Sequence, residues 1–196
     1  MFDRMMRVAK LDKAVYAEVE ADQTATTQAA TVVAIVAAAS AVGGAIGALI
    51  GGGGESVILG VIVAILAAVI GSFLGWLVWS AVTYFVGTSL FGGEADLGEM
   101  LRVIGFAQVP QVLGFFSFIP CVGTLVAFAG SLISIYTGFL AVQEGLDLDT
   151  GKTIATVVIG WVVAFIVNMI IAAILALIFG VGAVGVGALS SAFGGG

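Results

Sequence analysis

Few side chains in this 196-residue sequence can do chemistry, and their spacing does not suit catalysis. Histidine is absent, which removes the commonest general base and the commonest metal ligand. The single cysteine, Cys121, follows Pro120 in an apolar run and has no partner for an internal disulfide. It is expected to behave as a small buried hydrophobe. Carboxylates gather in two short groups: Glu94, Asp96 and Glu99, then Glu144, Asp147 and Asp149. A metal could be imagined there, but such groups more often sit in solvated loops and cap helices. Asp96, and Asp149 or Thr150, stand where apolar runs begin. No Ser/His/Asp, Cys/His or paired-carboxylate arrangement is available. No catalytic, cofactor or metal site is therefore expected, and the chain reads as non-enzymatic.

Uncharged polar groups also lie inside apolar runs, among them Ser72, Ser80, Thr83, Gln108, Gln111, Ser131, Ser134 and Asn168. Pumps and proton-coupled carriers use ionisable groups at such positions, so these mechanisms are disfavoured. Gln108 and Gln111 are candidates for lining a polar path. Asn168 is better placed as glue between helices.

The elements that must position these groups follow from composition. Apolar residues make up 61% of the chain and charged residues 9%, too little charge to cover a water-soluble domain. The charges cluster at residues 3–22, 94–102 and 144–152, with Glu55 alone between. About 20 apolar helical residues cross a bilayer core of about 30 Å. The uncharged stretches then give spans near Ala29–Ile50, Val57–Gly87 and Thr153–Phe179. The stretch 103–143 is too long for one crossing and contains Pro120, flanked by Ser117 and Gly123. It reads as two passes, near Glu99–Phe118 and Cys121–Val142, forming a hairpin broken at Pro120. The first of these carries Gly105, Gln108, Pro110 and Gln111, which suits a kinked span or a re-entrant segment shielded by neighbours. The expected fold is an all-α integral membrane bundle of about five transmembrane helices. Residues 1–28 form a partly amphipathic cytoplasmic segment, 29–179 the membrane domain and 180–196 a glycine-rich tail.

Five crossings with the N-terminus in the cytoplasm put Arg4, Arg7, Lys10, Lys13, Arg102 and Lys152 on one side, as the positive-inside rule requires. The C-terminus is then outside. The N-terminal segment lacks the form of a cleaved signal peptide. Met5, Val8, Leu11, Val15 and Val19 share one face, which suits a short helix at the cytoplasmic interface with the basic residues near anionic headgroups. Gly43, Gly47 and Gly51 recur every four residues, as do Gly71 and Gly75. Such faces let helices approach closely, within the bundle or across an oligomer interface. The tetraglycine Gly51–Gly54 reads as a turn. The glycine-rich tail lacks the lysine and the strand–helix context of a nucleotide-binding loop, and no nucleic-acid partner is expected.

From Tyr84 to Val163 the chain shows Gly92-Gly93, then Leu101-Arg102 leading to Gly105-Phe106-Ala107 and Pro110, then Pro120, Tyr136-Thr137-Gly138 and Gly151-Lys152. In order and in placement relative to the spans, these features resemble the Yip family, named for Ypt/Rab-interacting proteins. The resemblance implies a five-span protein with a cytoplasmic N-terminus. In eukaryotic members it implies links to vesicle traffic, Rab GTPases and membrane shaping. This sequence departs from them: its N-terminal region is short and the Asp-Leu-Tyr-Gly-Pro-type motif is missing. It looks like the prokaryotic branch, which implies a cytoplasmic-membrane location and gives no reason to carry Rab binding over. The function expected is that of a membrane-organising or scaffold protein forming homo-oligomers. The alternatives are an accessory subunit of a larger membrane complex, and a channel or transporter for a small neutral solute.

Overall fold

The computed structural model describes residues 1–50 and 56–179, and every element in them is helical. Gly51, the tetraglycine, Glu55 and the tail 180–196 lie outside the described residues. Two short helices, α1 (Phe2–Ala9) and α2 (Ala14–Ala21), precede the long helices α3 (Ala25–Ile50) and α4 (Ser56–Phe91). Helix α5 (Leu97–Ala107) runs into a 3₁₀ segment (Val109–Phe118), followed by α6 (Val122–Gly145) and α7 (Thr150–Phe179). Five of these units are long and apolar enough to span a bilayer, with α5 and the 3₁₀ segment together making the third. The chain is an all-α membrane bundle.

The third span is its centre. Within its apolar window 44% of residues are buried, against 6–28% in the other four. It contacts α3, α4 and α6, and also α1 and α2, whereas α4 and α6 share few direct contacts among the described residues. Glycines allow this close wrapping. A Cβ on Gly105 would stand 2.7 Å from the Ala29 Cβ, and one on Gly130 would stand 2.8 Å from the Pro110 carbonyl oxygen. Cβ atoms on Gly43 and Gly123 would collide with the backbone carbonyls of Phe115 and Phe116. Because Gly105 rests on Ala29 and Phe118 on Gly47, the third span follows α3 for about 27 Å, close to the thickness of the hydrocarbon core.

The change from α to 3₁₀ winding has a local cause. Pro110 supplies no N–H and stands in the first turn of the 3₁₀ segment. Ten residues is long for such a helix. It is held by its neighbours and by edge-to-face stacking of Phe115 on Phe116 and on Phe118, with centroids 5.4 Å and 5.6 Å apart. At the break the Thr137 hydroxyl of α6 donates to the Ala107 carbonyl at 2.7 Å. The hairpin then turns in very few residues. Val122 N–H bonds the Pro120 carbonyl at 2.7 Å across Cys121, which is held at φ 62 and ψ −58, a strained γ-turn. Cys121 is exposed at this tip, not buried as its apolar neighbours suggested.

Every charged side chain among the described residues belongs to one end of the bundle: α1, α2, the α4–α5 link with the start of α5, or the α6–α7 link with its flanking turns. Helix α4 ends at Gly92, whose φ of +69 suits glycine. Leu146, fully buried, fills the space over Gly87 and Gly93. Asp96 and Glu99 form a reciprocal capping box on α5. Asp149 accepts from Gly151 and Lys152 N–H at 2.9 Å and 3.1 Å, capping α7.

The N-terminal segment differs from the single interfacial helix expected. It bends at Leu11, which has φ 61, and folds back as two helices. Val8, Val15, Tyr16 and Val19 are buried in the same core as Met100, Val103 and Val142. Its arginines are committed to ion pairs: Arg4 with Glu18 and Asp22, Arg7 with Asp12 and Glu18. Lys13 pairs with Glu144. These partners reduce what the segment can offer to anionic headgroups.

Candidate functional site

Two groups of residues singled out by the sequence meet in space, together with others it did not reveal. Between α4 and α6, with the third span as its floor, lies a half-open cavity of about 280 Å³. Ser72, Gly75, Trp76 and Trp79 line it from α4, Ile104, Ala107, Gln108 and Gln111 from the third span, and Ser134 and Gly138 from α6. No charged side chain lines it.

Each wall is positioned by packing between the helices. The Trp76 indole N–H donates to the Leu101 carbonyl at 3.0 Å and its ring meets Phe73 edge-on at 6.1 Å. This fixes α4 against α5 just where Gly105 leaves room for the indole. Thr137 holds α6 to the end of α5 and so sets the height of Ser134 and Gly138, which lie on the same helix within a turn of it. The glutamines fall at the α-to-3₁₀ break, where the change of winding turns Gln108 and Gln111 toward one opening. Cβ atoms on Gly75 and Gly138 would meet no described atom within 4 Å, so both glycines add open volume.

The hydrogen bonding is incomplete. Ser72 bonds back to the Ala68 carbonyl at 2.8 Å. The Ser134 hydroxyl is buried with no partner among the described residues, while Gln108 is half-buried and Gln111 exposed at the cavity. In an apolar medium an unpaired polar group is costly. The cavity therefore presents amide donors, amide acceptors and a hydroxyl between two indoles, a surface for an uncharged ligand that forms hydrogen bonds.

The other residues singled out by the sequence lie elsewhere. Gly43 and Gly47 pack on the 3₁₀ segment, while Gly71 has open space around it. Arg102 is buried and donates from Nε and a terminal nitrogen to the Glu20 carbonyl at 3.1 Å and 2.6 Å. It thereby holds the last turn of α2, where a cation is favoured. Phe106 is fully buried and Tyr136 half exposed. Pro110 and Pro120 mark the break and the hairpin. Asn168 donates to the Ala164 carbonyl of its own helix at 2.8 Å. Among the described residues no three His, Cys, Asp or Glu side chains come together to hold a metal ion.

At the charged end, burial, and then the negative fields of Asp147, Glu99 and Glu144, push the Glu20 carboxyl up to about 7, against the pull of Arg102. Thr24 and Arg4 hold the Asp22 carboxyl down at about 2. The Tyr16 hydroxyl is buried, and burial raises its pKa against a smaller opposing effect of Thr137.

Trp76, Trp79, Ser72 and Ser134 were not legible as one site. Helix α4 is apolar on every side, so no face marks which residues turn inward. The one available signal was the recurrence of Gly71, Ser72 and Gly75 beside the tryptophans.

The family model for the Yip1 domain matches residues 13–172. No curated protein and no solved structure matches the chain. The match takes in α2 to α7 and all five spans, well over half of the sequence, and the chain belongs to the Yip1-domain family of integral membrane proteins.

Proposed function

We propose that this chain is a non-enzymatic membrane-organising protein that assembles with further copies of itself through the lipid-facing side of α3 and α4. One observation carries the reading. An apolar groove of about 600 Å³ runs between these helices, lined by Ser40, Ala41, Gly44, Ala45 and Ala48 and by Gly60, Val61, Ala64, Ile65 and Ala68. Gly60, Ala64 and Ala68 recur every four residues on α4, and Cβ atoms on Gly44, Gly60 and Gly71 would meet no described atom within 4 Å. Other small residues, such as Gly43, Gly105, Gly123 and Gly130, are covered from within the chain; no described residue covers this strip. Lipid tails and leucine are equally apolar, so association in a bilayer rests on close packing, and a smooth small-residue strip is the surface that permits it. A strip on one helix can pack on its own two-fold mate, giving a closed dimer.

The uncharged cavity and the absence of histidine support a non-catalytic role. The gathering of the six basic residues at one end supports a cytoplasmic N-terminus. Native mass spectrometry of the chain extracted in mild detergent tests the assembly. The expected result is a homo-oligomer that Ala64→Leu dissociates. A monomer, or a stoichiometric complex with an unrelated subunit, would overturn this reading.

A further inference from the structure

We infer that the cavity between α4 and α6 binds the head of an uncharged glycerolipid of the diacylglycerol class, with its acyl chains leaving between the two helices into the bilayer. The inference is independent of the assembly proposed above.

Four features of the site select this chemistry. No charged side chain lines the cavity, so a phosphate or ammonium group would enter a low-dielectric site with no counter-charge, at a large desolvation cost. An uncharged head avoids that cost. Ser134 offers a buried hydroxyl with no partner, and Gln108 and Gln111 offer amide N–H donors and carbonyl acceptors. Together these complement a free hydroxyl beside ester carbonyls. The volume of about 280 Å³ equals about nine water-sized groups, enough for a glycerol carrying two ester groups. Finally, the cavity is lined from α4 and α6, two membrane-spanning helices that share few direct contacts. Leu77 and Ile135, next in sequence to lining residues, are 45% and 65% exposed as lipid-facing side chains are.

Depth is consistent with this assignment. Gly138 and Ser134 stand about 10 Å and 16 Å along α6 from its charged end at Gly145, within the apolar span Val122–Gly145. A lipid with an uncharged head can settle there, and the indoles of Trp76 and Trp79 give it apolar walls with polar edges.

The test uses the full chain in phosphatidylcholine vesicles containing a photoactivatable diacylglycerol, with a photoactivatable phosphatidylcholine as the matched probe. Crosslinked peptides are mapped by mass spectrometry. Crosslinking of the diacylglycerol probe is expected on the α4 and third-span peptides that carry Trp76, Trp79 and Gln108, and unlabelled diacylglycerol should compete it away. Gly138→Leu should lower it by about tenfold, because its Cβ meets no described atom within 4 Å and the rest of the side chain takes up cavity volume, and a tenfold loss corresponds to about one hydrogen bond to the head. Gln108→Leu removes an amide without adding bulk and should also lower the crosslinking, so the test does not depend on one variant folding. Equal crosslinking by the phosphatidylcholine probe would reduce the site to ordinary lipid contact and overturn the inference. Indifference to both variants would do the same. Competition by soluble glycerol as effective as that by diacylglycerol would assign the cavity to a free polyol and overturn the lipid assignment.

Discussion

Gly105→Ala is the smallest change that probes how the third span is seated. The new Cβ would stand 2.7 Å from the Ala29 Cβ, 3.2 Å from the Ala29 Cα and 3.2 Å from the Trp76 Nε1. Apolar atoms prefer separations of about 3.5–4.0 Å, so the overlap with Ala29 is about 1 Å. A methyl group fixed to the α3 backbone cannot rotate away, and the helices must part. A gap of this size forfeits a quarter to a half of the contact energy of the atoms involved, and overpacking of this kind costs about 1–3 kcal/mol. Helix propensity works in the opposite direction, since alanine is better than glycine by about 1 kcal/mol within a helix. The sign of the effect therefore separates the two explanations. Reversible unfolding in detergent micelles, followed by tryptophan fluorescence, should show net destabilisation. Combining the change with Ala29→Gly reopens the space, and the double variant should recover most of the loss beyond what additivity gives. A stabilised Gly105→Ala, or strict additivity in the double variant, would refute the seating of α5 on α3.

Three further outcomes follow from the charged end and the break. Arg102→Met removes two hydrogen bonds from a buried guanidinium to the Glu20 carbonyl, each worth about 1.5–3 kcal/mol in comparable settings; hydrogen exchange across Ala14–Ala21 should speed up while α6 stays protected. The Glu20 carboxyl is raised from 4.5 to about 7, so the folded chain binds a proton more tightly than the unfolded one, and this stabilisation is complete below 4.5 and lost as pH rises through about 7. Docking of α2 should accordingly loosen between pH 5 and pH 8 (about the window of that titration), and Glu20→Gln should flatten the profile. Asp22, held at about 2, acts in the opposite sense but only in more acidic solution. Thr137→Val orphans the Ala107 carbonyl at the break and should cost about 1–2 kcal/mol in the same unfolding assay.

Much of the architecture was legible because a bilayer imposes strict lengths. The confinement of charge to a few short segments marked the span ends, and forty uncharged residues around Pro120 had to fold back. Asp96 and Asp149 were readable as caps, since each precedes an apolar run. What escaped had physical reasons. Over ten mostly apolar residues from Val109 to Phe118, periods of 3.0 and 3.6 leave no distinct pattern, so the 3₁₀ winding was hidden. The bend at Leu11 occurs in Lys10-Leu11-Asp12 without glycine or proline, and α1 and α2 read as one helix. The exposure of Cys121 depends on its place at the tip of a tight turn, which the apolar composition around it conceals. The glycines were visible but not their partners. Gly43 and Gly47 contact the 3₁₀ segment, whereas Gly75 opens a cavity, and spacing alone does not distinguish these uses.

The most direct measurement of the central claim is disulfide crosslinking between copies in native membranes. With the exposed native thiol removed by Cys121→Ser, a single cysteine introduced by Ala64→Cys lies on the uncovered strip of α4. Assembly through α3 and α4 predicts a covalent dimer on mild oxidation, and none from a control Phe165→Cys on the lipid-facing side of α7, where Phe165 is 60% exposed. A chain that stays monomeric with Ala64→Cys, or that crosslinks equally from α7, would contradict the account.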